Sequence, residues 1–456
     1  MSLFGKKKPT IDLEAWYNKG VMLGNIGKYL DAINCFDEVL AIDPGFIGAW
    51  YNKGIAINGL GRYLEATGCF DEALLIDPHF ADAWCGKGIA LSNLGRYDEA
   101  MTCYDEALQM NSRLAEAWCG KGVALHKLDR YQESIRYYDE AINIKPNYAM
   151  ALYNKGVALS RLGRYKDAVP FFNESLIIDS EYVDAWYNKG VALGYLGKHQ
   201  EAIICFDEVL SRKSDHADAW YNKGVAWDNI MQYQKAVESY NTAIHINPRH
   251  AEAWCNKGTA LYHLNRNKPE ITVSDSDNMS IYGQILDCYD EAITLKPGNI
   301  EALIGKGIVF DFLGKYQEAI KCYDDALKLD MLNPEAWYNK GATLNSIDNT
   351  KNAINHFNEA IRIKPQYAEA WNGKGRAFEK LNQQQEAISC YERALGINPR
   401  FAEGWFSKAY LLTQLKKYQE ALKCVEEAIT LNLNYVQAYK LKTLILEKLE
   451  TKNLVK

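Results

Sequence analysis

No apolar run in this chain approaches the roughly 20 residues that a membrane-spanning helix requires. No Cys-x-x-Cys pair occurs, which removes the usual zinc and thioredoxin-like redox spacings. Basic charge is not in excess either. The net charge is -6 at pH 7, whereas nucleic-acid-binding proteins show a basic face. A Gly-x4-Gly-Lys-Ser/Thr phosphate loop, His-Glu-x-x-His and Gly-x-Ser-x-Gly are all missing. The eight histidines are scattered, and His245 and His250, though close in sequence, have no ligand cluster around them. The sequence therefore points to no catalytic residue, no metal and no cofactor, and to no nucleic-acid partner.

Lys6-Lys7-Lys8 near the start has no apolar stretch behind it, so the segment is not a secretory signal. Residues 1–12 read as a short basic, solvated leader; three lysines are a weak basis for binding an anionic surface. The eleven cysteines fall into two columns of a repeat. Cys35, Cys69, Cys103, Cys205, Cys288, Cys322, Cys390 and Cys424 form one. Cys85, Cys119 and Cys255 form the other. Cysteine in such columns serves as a small, buryable apolar residue, and a reducing cytoplasmic setting is expected.

What is present is repetition. Asp82-Ala83-Trp84-Cys85-Gly86-Lys87-Gly88 returns 34 residues later as Glu116-Ala117-Trp118-Cys119-Gly120-Lys121-Gly122, and again as Asp184-Ala185-Trp186-Tyr187-Asn188-Lys189-Gly190. Twelve copies begin between Ala15 and Gly404, and a half-copy begins at Ala438. A fixed period of this length signals stacked supersecondary units and not one closed core.

One unit shows the logic. From Ala49 to Leu60, the residues Ala49, Trp50, Ala56, Ile57 and Leu60 share one helical face. Gly61-Arg62 breaks the pattern. From Tyr63 to Ile76, the residues Ala66, Phe70, Ala73 and Leu74 form a second stripe. Asp77-Pro78 ends it, because the residue before proline disfavours α geometry. Gly54 sits mid-helix, where glycine costs roughly 1 kcal/mol against alanine; the gain is close approach of a neighbouring helix. Trp50 and Phe70 are expected to fill the spaces between helices. The proline is replaced at Ser112, Ser180, Ser214, Met331 and Leu433, where looser junctions are expected. Pro170 lies inside a second helix and should bend it.

Trp50, Gly54, Ala66, Phe70 and Pro78 stand at the offsets of the tetratricopeptide repeat signature, with Lys53 and Ile57 where the signature has Leu and Tyr. The chain resembles a tetratricopeptide repeat protein from about Leu13 onward. The resemblance implies an all-α, right-handed superhelical solenoid of helix-turn-helix repeats, whose first helices line a concave groove that binds proteins or peptides. The organisation read from it is residues 1–12 as leader, 13–437 as twelve repeats with an inserted polar loop at about 266–281, and 438–456 as a capping helix and tail. The cap is expected over residues 438–449. Within the insertion, Thr272 to Asn278 is polar and reads as a mobile loop.

Two features bear on function. A lysine stands in every copy, from Lys19 and Lys53 to Lys408, on an apolar stripe. An ammonium there must either carry its head out to water or meet a carboxylate, with second-helix acids such as Asp71 and Glu72 as candidates. The opposite stripe faces the implied groove. It is aromatic, amide and aliphatic, as in Tyr187, Asn188 and Val191. Some relatives clamp a C-terminal carboxylate here. The asparagine column partly matches, but acids such as Asp184 and a Val/Ile column do not.

The period breaks only in the eighth repeat, and groove positions around it change character. Tyr187, Asn188, Tyr195, Tyr221, Asn222, Asp228, Asn229, Tyr262, His263, Asp311 and Phe312 are the candidate partner-binding residues; drift at helix ends is the competing explanation. Trp227 and Phe310 read as core packing. The expected function is a non-catalytic scaffold or adaptor that binds a protein or peptide in the groove. The alternative is a regulatory or targeting subunit whose catalytic chain is separate.

Overall fold

The computed structural model describes residues 12–266 and 276–454. Helix is the only regular secondary structure among them: twelve helix pairs and one last helix, Val436–Leu454. The chain divides into two units, Met1–Ala226 and Trp227–Lys456. Within each unit, every helix packs chiefly on its neighbours in sequence.

The pair Ala81–Asn93 and Tyr97–Met110 stands for the rest. Its inner turn closes with Gly95 N–H on the Ser92 carbonyl at 3.0 Å and Arg96 N–H on the Leu91 carbonyl at 2.9 Å. These are the two bonds of a helix-ending Schellman motif. The motif needs a left-handed residue, and Gly95 supplies it at φ 78°. The outer turn, between pairs, is held by side chains. The Asp77 carboxylate accepts the His79 N–H at 2.9 Å, and the Trp84 indole N–H donates to the Pro78 carbonyl at 3.0 Å.

That indole bond corrects one expectation. Where proline is missing, Trp118, Trp186, Trp220 and Trp337 still donate to the carbonyls of Ser112, Ser180, Ser214 and Met331, at 2.9 to 3.0 Å. These junctions close as the proline junctions do. The tryptophan fixes the turn, so proline is dispensable. For the same reason the tryptophans are only half-buried, at the edge of the core. The rings filling the core are those of the second helices, such as Phe36, Phe70, Tyr104 and Phe206.

Glycine makes room for those rings. A Cβ on Gly54 would stand 2.8 Å from the Phe70 ring, and one on Gly86, in the next repeat, 2.7 Å from the same ring. One aromatic side chain thus presses on two backbones at once. Small residues on the facing stripes, Ala66 and Ala73, are fully buried.

Two segments depart from expectation. Ser276, Asp277 and Asn278 are not loop: they open the helix Ser276–Leu295, 20 residues long against 14 for its counterparts. Ser and Asp suit a helix start as well as a loop, so polarity alone does not separate the two. The rest of that stretch, Thr272 to Asp275, lies outside the described residues, as does most of the leader with its Lys6-Lys7-Lys8. The last helix is longer than residues 438–449. Pro170 sits within the helix Tyr165–Ile178, on its exposed side, and its lack of an N–H leaves the Lys166 carbonyl without its helical donor.

The ring–glycine contact yields a test. Alanine normally favours a helix over glycine by about 1 kcal/mol. Gly68→Ala, with nothing within 4 Å of the new Cβ, should stabilise its repeat by about that much. Gly88→Ala, with the Tyr104 ring 2.7 Å away, should instead destabilise by about 1–3 kcal/mol through overpacking. Local hydrogen-exchange protection measures both; equal effects of the two changes would contradict the packing argument.

Candidate functional site

On each first helix, the residues opposite the core form a stripe along one side. In Val183–Tyr195 these are Asp184, Asn188, Val191 and Tyr195; the core side holds Ala185, Gly190, Ala192 and Leu193. Asp184 lies inside the helix, in its first turn.

In the first unit much of this stripe is tied together. Asn188 donates to the Tyr153 hydroxyl at 3.1 Å and to the Asp184 carbonyl at 2.9 Å. Asn222 donates to the Tyr187 hydroxyl at 3.0 Å and to the Asp218 carbonyl at 2.8 Å. Tyr187 also stacks on His216, with ring centroids 5.0 Å apart. Asn188, Tyr187 and Asn222 are therefore rungs of a ladder between repeats, and Tyr221 is half-buried in the same column. Tyr195 differs: it is 70% exposed and lies flat on Tyr165, centroids 4.5 Å apart.

In the second unit, Tyr262, His263 and Phe312 meet in one aromatic patch. Tyr262 lies edge-on to His263 at 5.8 Å and to Phe312 at 6.4 Å. His263 also stacks on Tyr233, and burial holds its pKa below the usual imidazole value. Asp311 is turned toward the structure: it accepts the Thr343 hydroxyl at 2.6 Å, and burial raises its carboxyl pKa. Asp228 is half-buried, its carboxyl likewise raised by burial, and Asn229 is exposed. The two aspartates resemble helix-end structural acids more than open surface charges.

The lysine column finds its carboxylates in the preceding repeat. Lys53 meets Asp37, Lys87 meets Asp71 and Lys223 meets Asp207, each at 2.7 Å. Lys121–Asp105, Lys155–Asp139, Lys306–Asp290, Lys340–Asp324 and Lys408–Glu392 repeat the pair. Lys53, Lys87 and Lys223 also lie over the tryptophan three residues earlier, Lys53 over Trp50 at 5.1 Å from the ring centre, whereas Lys121 lies over Tyr137. Where that tryptophan is Leu152 or Leu303, Phe171 and Phe310 take its place under Lys155 and Lys306. Asn173, Asn241 and Asn358 occupy the carboxylate position for Lys189, Lys257 and Lys374, and each of those lysines keeps its tryptophan. The column joins repeats and is a structural element.

Two hollows in the second unit lie on the stripe, and the sequence reading missed most of their residues. One, of about 570 Å³, is lined by Tyr262 and His263 together with Arg266, Glu301, Ile304, Glu335 and Asn339. The other, of about 680 Å³, holds Arg376, Glu379, Phe406, Tyr410 and Tyr435. A signal existed. The Val/Ile column of the stripe is broken at Thr259, Ala342, Arg376 and Tyr410, four departures clustered in the last five repeats. In the second hollow, Tyr391 donates its hydroxyl to Glu379 at 2.8 Å and Gln414 donates at 3.2 Å. Burial still raises the Glu379 carboxyl, and these bonds oppose it. Among the described residues, no group of three or more His, Cys, Asp or Glu side chains is placed to hold a metal ion. No described helix is long and apolar enough to cross a membrane.

Tetratricopeptide repeat models match residues 13–46, 81–114, 183–216, 217–250 and 368–401, and further such models match 113–181, 313–347, 334–367 and 402–435. The chain belongs to the tetratricopeptide repeat family. No curated protein matches it. Among solved structures, a chain of the APC/C hetero-tetramer Cut9-Hcn1 is 17% identical with TM-score 0.49, over 95% of this chain and 96% of that one. Yeast Tom70 is 15% identical with TM-score 0.47, over 97% and 96%. YrrB, described as a tetratricopeptide repeat protein with an unusual peptide-binding site, is 27% identical with TM-score 0.38, over 41% of this chain and 97% of its own. The all-α array of helix pairs is the fold of the repeats that these family models describe.

Glu379 gives a pH-dependent test. Its folded pKa is raised, so its contribution is most favourable below the free carboxyl value of 4.5 and is lost as pH rises through the folded pKa. Glu379→Gln, which keeps an acceptor for Tyr391, should therefore gain stability relative to the parent as pH rises from 4 to 8. Denaturation of both proteins across that range measures it; a difference that stays constant, or grows toward acid, would sink the assignment.

Proposed function

We propose that this tetratricopeptide protein is a non-catalytic scaffold that binds protein or peptide partners along the stripe of its first helices, in a concave groove. The observation that carries the reading is the aromatic patch of Tyr262, His263 and Phe312 beside a hollow of about 570 Å³. Rings with polar edges, next to a cavity, are what binding hot spots are made of. Tyr195 belongs to the same reading by its exposure. Asp311 acts behind it, by tying its helix to Thr343 of the next repeat, and Asp228 and Asn229 lie at the end of the helix Ala217–Asn229. Asn188, Tyr187, Asn222 and Tyr221 shape the stripe from which contacts are made. The eleven cysteines are free and buried, which supports a reducing, cytoplasmic setting.

Co-purification from the native host, followed by binding measurements with the isolated partner, tests the proposal. Tyr262→Ala combined with His263→Ala should weaken the partner by at least about 1 kcal/mol, the scale of a contributing interface residue, with helix content unchanged. Tyr195→Ala should do the same if the partner also engages the first unit. A partner whose own catalytic rate changes on binding would make this chain a regulatory subunit. Unchanged affinity in both variants would place the contact away from this stripe.

A further inference from the structure

The hollow beside Tyr262 owes its shape to one repeat. At the ninth repeat the stripe's asparagine is Gly305 and the tyrosine before it is Ile304. No side chain fits at 305, since a Cβ there would stand 2.6 Å from the Tyr289 ring. The floor left behind is apolar, with Ile304 and Ile308 facing the Tyr262 ring. Its two ends differ in charge. Arg266 follows the last turn of Ala251–Asn265. Glu301 and Glu335 come from the first turns of Ile300–Phe312 and Pro334–Ser346.

Two features meet in this pit. The first is a pair of carboxylates without an ion pair. Three acids of this column do have a cation from the chain. Lys145 reaches Glu116 and Lys296 reaches Glu252, both at 3.0 Å, and Arg376 reaches Glu403 at 3.3 Å. Neither Glu301 nor Glu335 forms an ion pair among the described residues. The position that supplies Lys145 and Lys296 is Asp330 in the ninth repeat; in the tenth it is Lys364, which lies over the Tyr367 ring and acts on Glu335 by its charge without forming an ion pair. Glu335 is exposed, yet the surrounding protein raises its carboxyl pKa, the charge of Glu301 adds to that and Lys364 opposes it.

The second is a released amide. Asn188 and Asn222 each donate to a tyrosine hydroxyl of the repeat before. Asn339 stands in the same column, but the residue before it in the ladder is Ile304, which has no hydroxyl to accept. Its amide lines the pit.

We propose that this pit takes a lysine or arginine side chain from an extended peptide. The cation lies between Glu301 and Glu335, its aliphatic stem runs along Ile304 and Ile308, and a main-chain carbonyl of the peptide accepts from the Asn339 amide. The proposal rests on the reading that partners lie along the first-helix stripe. The chemistry is complementary at each point. A long basic side chain covers apolar surface with its stem while its head stays polar. Charge-assisted hydrogen bonds are the stronger kind. Supplying a cation also relieves the repulsion between two neighbouring carboxylates. Because the rim is open to solvent, the attraction weakens with salt.

The test uses the full chain, immobilised, with acetylated and amidated peptide libraries that are degenerate except at a fixed central residue: arginine, lysine, citrulline, norleucine or glutamate. Arginine and lysine libraries should be retained at least about tenfold better than the other three. Glu301→Gln combined with Glu335→Gln should erase that preference without changing the melting curve by circular dichroism. Asn339→Ala should lower retention of the arginine and lysine libraries while leaving the preference for a cation in place. Equal retention of arginine and citrulline, or a preference that survives the double glutamine variant, would overturn the pit while leaving stripe binding intact. Retention of no library above a blank surface would overturn both.

Discussion

One contact governs this molecule: an aromatic ring on a second helix pressed against the glycine of its own first helix, as Phe36 on Gly20 and Phe206 on Gly190. The ring of Phe70 reaches the backbone at Gly54 in its own repeat and also at Gly86 in the next. A ring of that size hides about 150–250 Å², and the glycine leaves the room for it. The glycine weakens its own helix, and the ring restores more than it lost. The same contact dictates which repeat follows which, because the ring cannot be covered by one repeat alone. Stability therefore accumulates from repeat to repeat, as in other linear arrays.

Around that contact, the junction is sealed by a second device. At Trp50, Trp84 and Trp220 the tryptophan holds the turn through its indole N–H and carries a lysine on its face, and that lysine reaches back to a carboxylate of the preceding repeat; other repeats keep part of the arrangement. Ion pairs with one exposed partner contribute about 0–1 kcal/mol, and an ammonium over an exposed ring about 0.5–1 kcal/mol. Neither is large, but the arrangement recurs along the chain and fixes the register of neighbours. It also explains why a charge is tolerated on an apolar stripe: the stem is packed and the head is doubly satisfied.

The stripe left over is where variation is free. In the first unit, tyrosine and asparagine tie adjacent repeats through hydroxyl–amide bonds. In the second, Ile304 and Gly305 remove rungs beside one hollow, and Arg376 and Tyr410 interrupt the Val/Ile column beside the other. The proposed function rests on these interruptions, since a side chain released from the ladder is open to another partner. Tyr262 and His263 were visible as departures from the pattern. Glu301 and Glu335 were not, because glutamate is ordinary in their column. Only the hollow that they line together makes them unusual.

Periodicity alone determined the helix pairs, the glycine and ring columns and the family, because short-range spacing dictates which residues share a helical face. It also showed that lysine on an apolar stripe needs a partner. Which carboxylate answers it was decided by tertiary structure, since Asp71 serves Lys87 of the next repeat and not Lys53 of its own. The same holds for the proline-free turns, closed by an indole six residues away, and for the start of the helix at Ser276. It holds for the stripe as well. Asn188 and Asn222 look like open groove amides in sequence and are bonded to tyrosines 35 residues earlier. A linear pattern specifies the face on which a side chain lies, whereas its partner depends on how the next repeat is stacked.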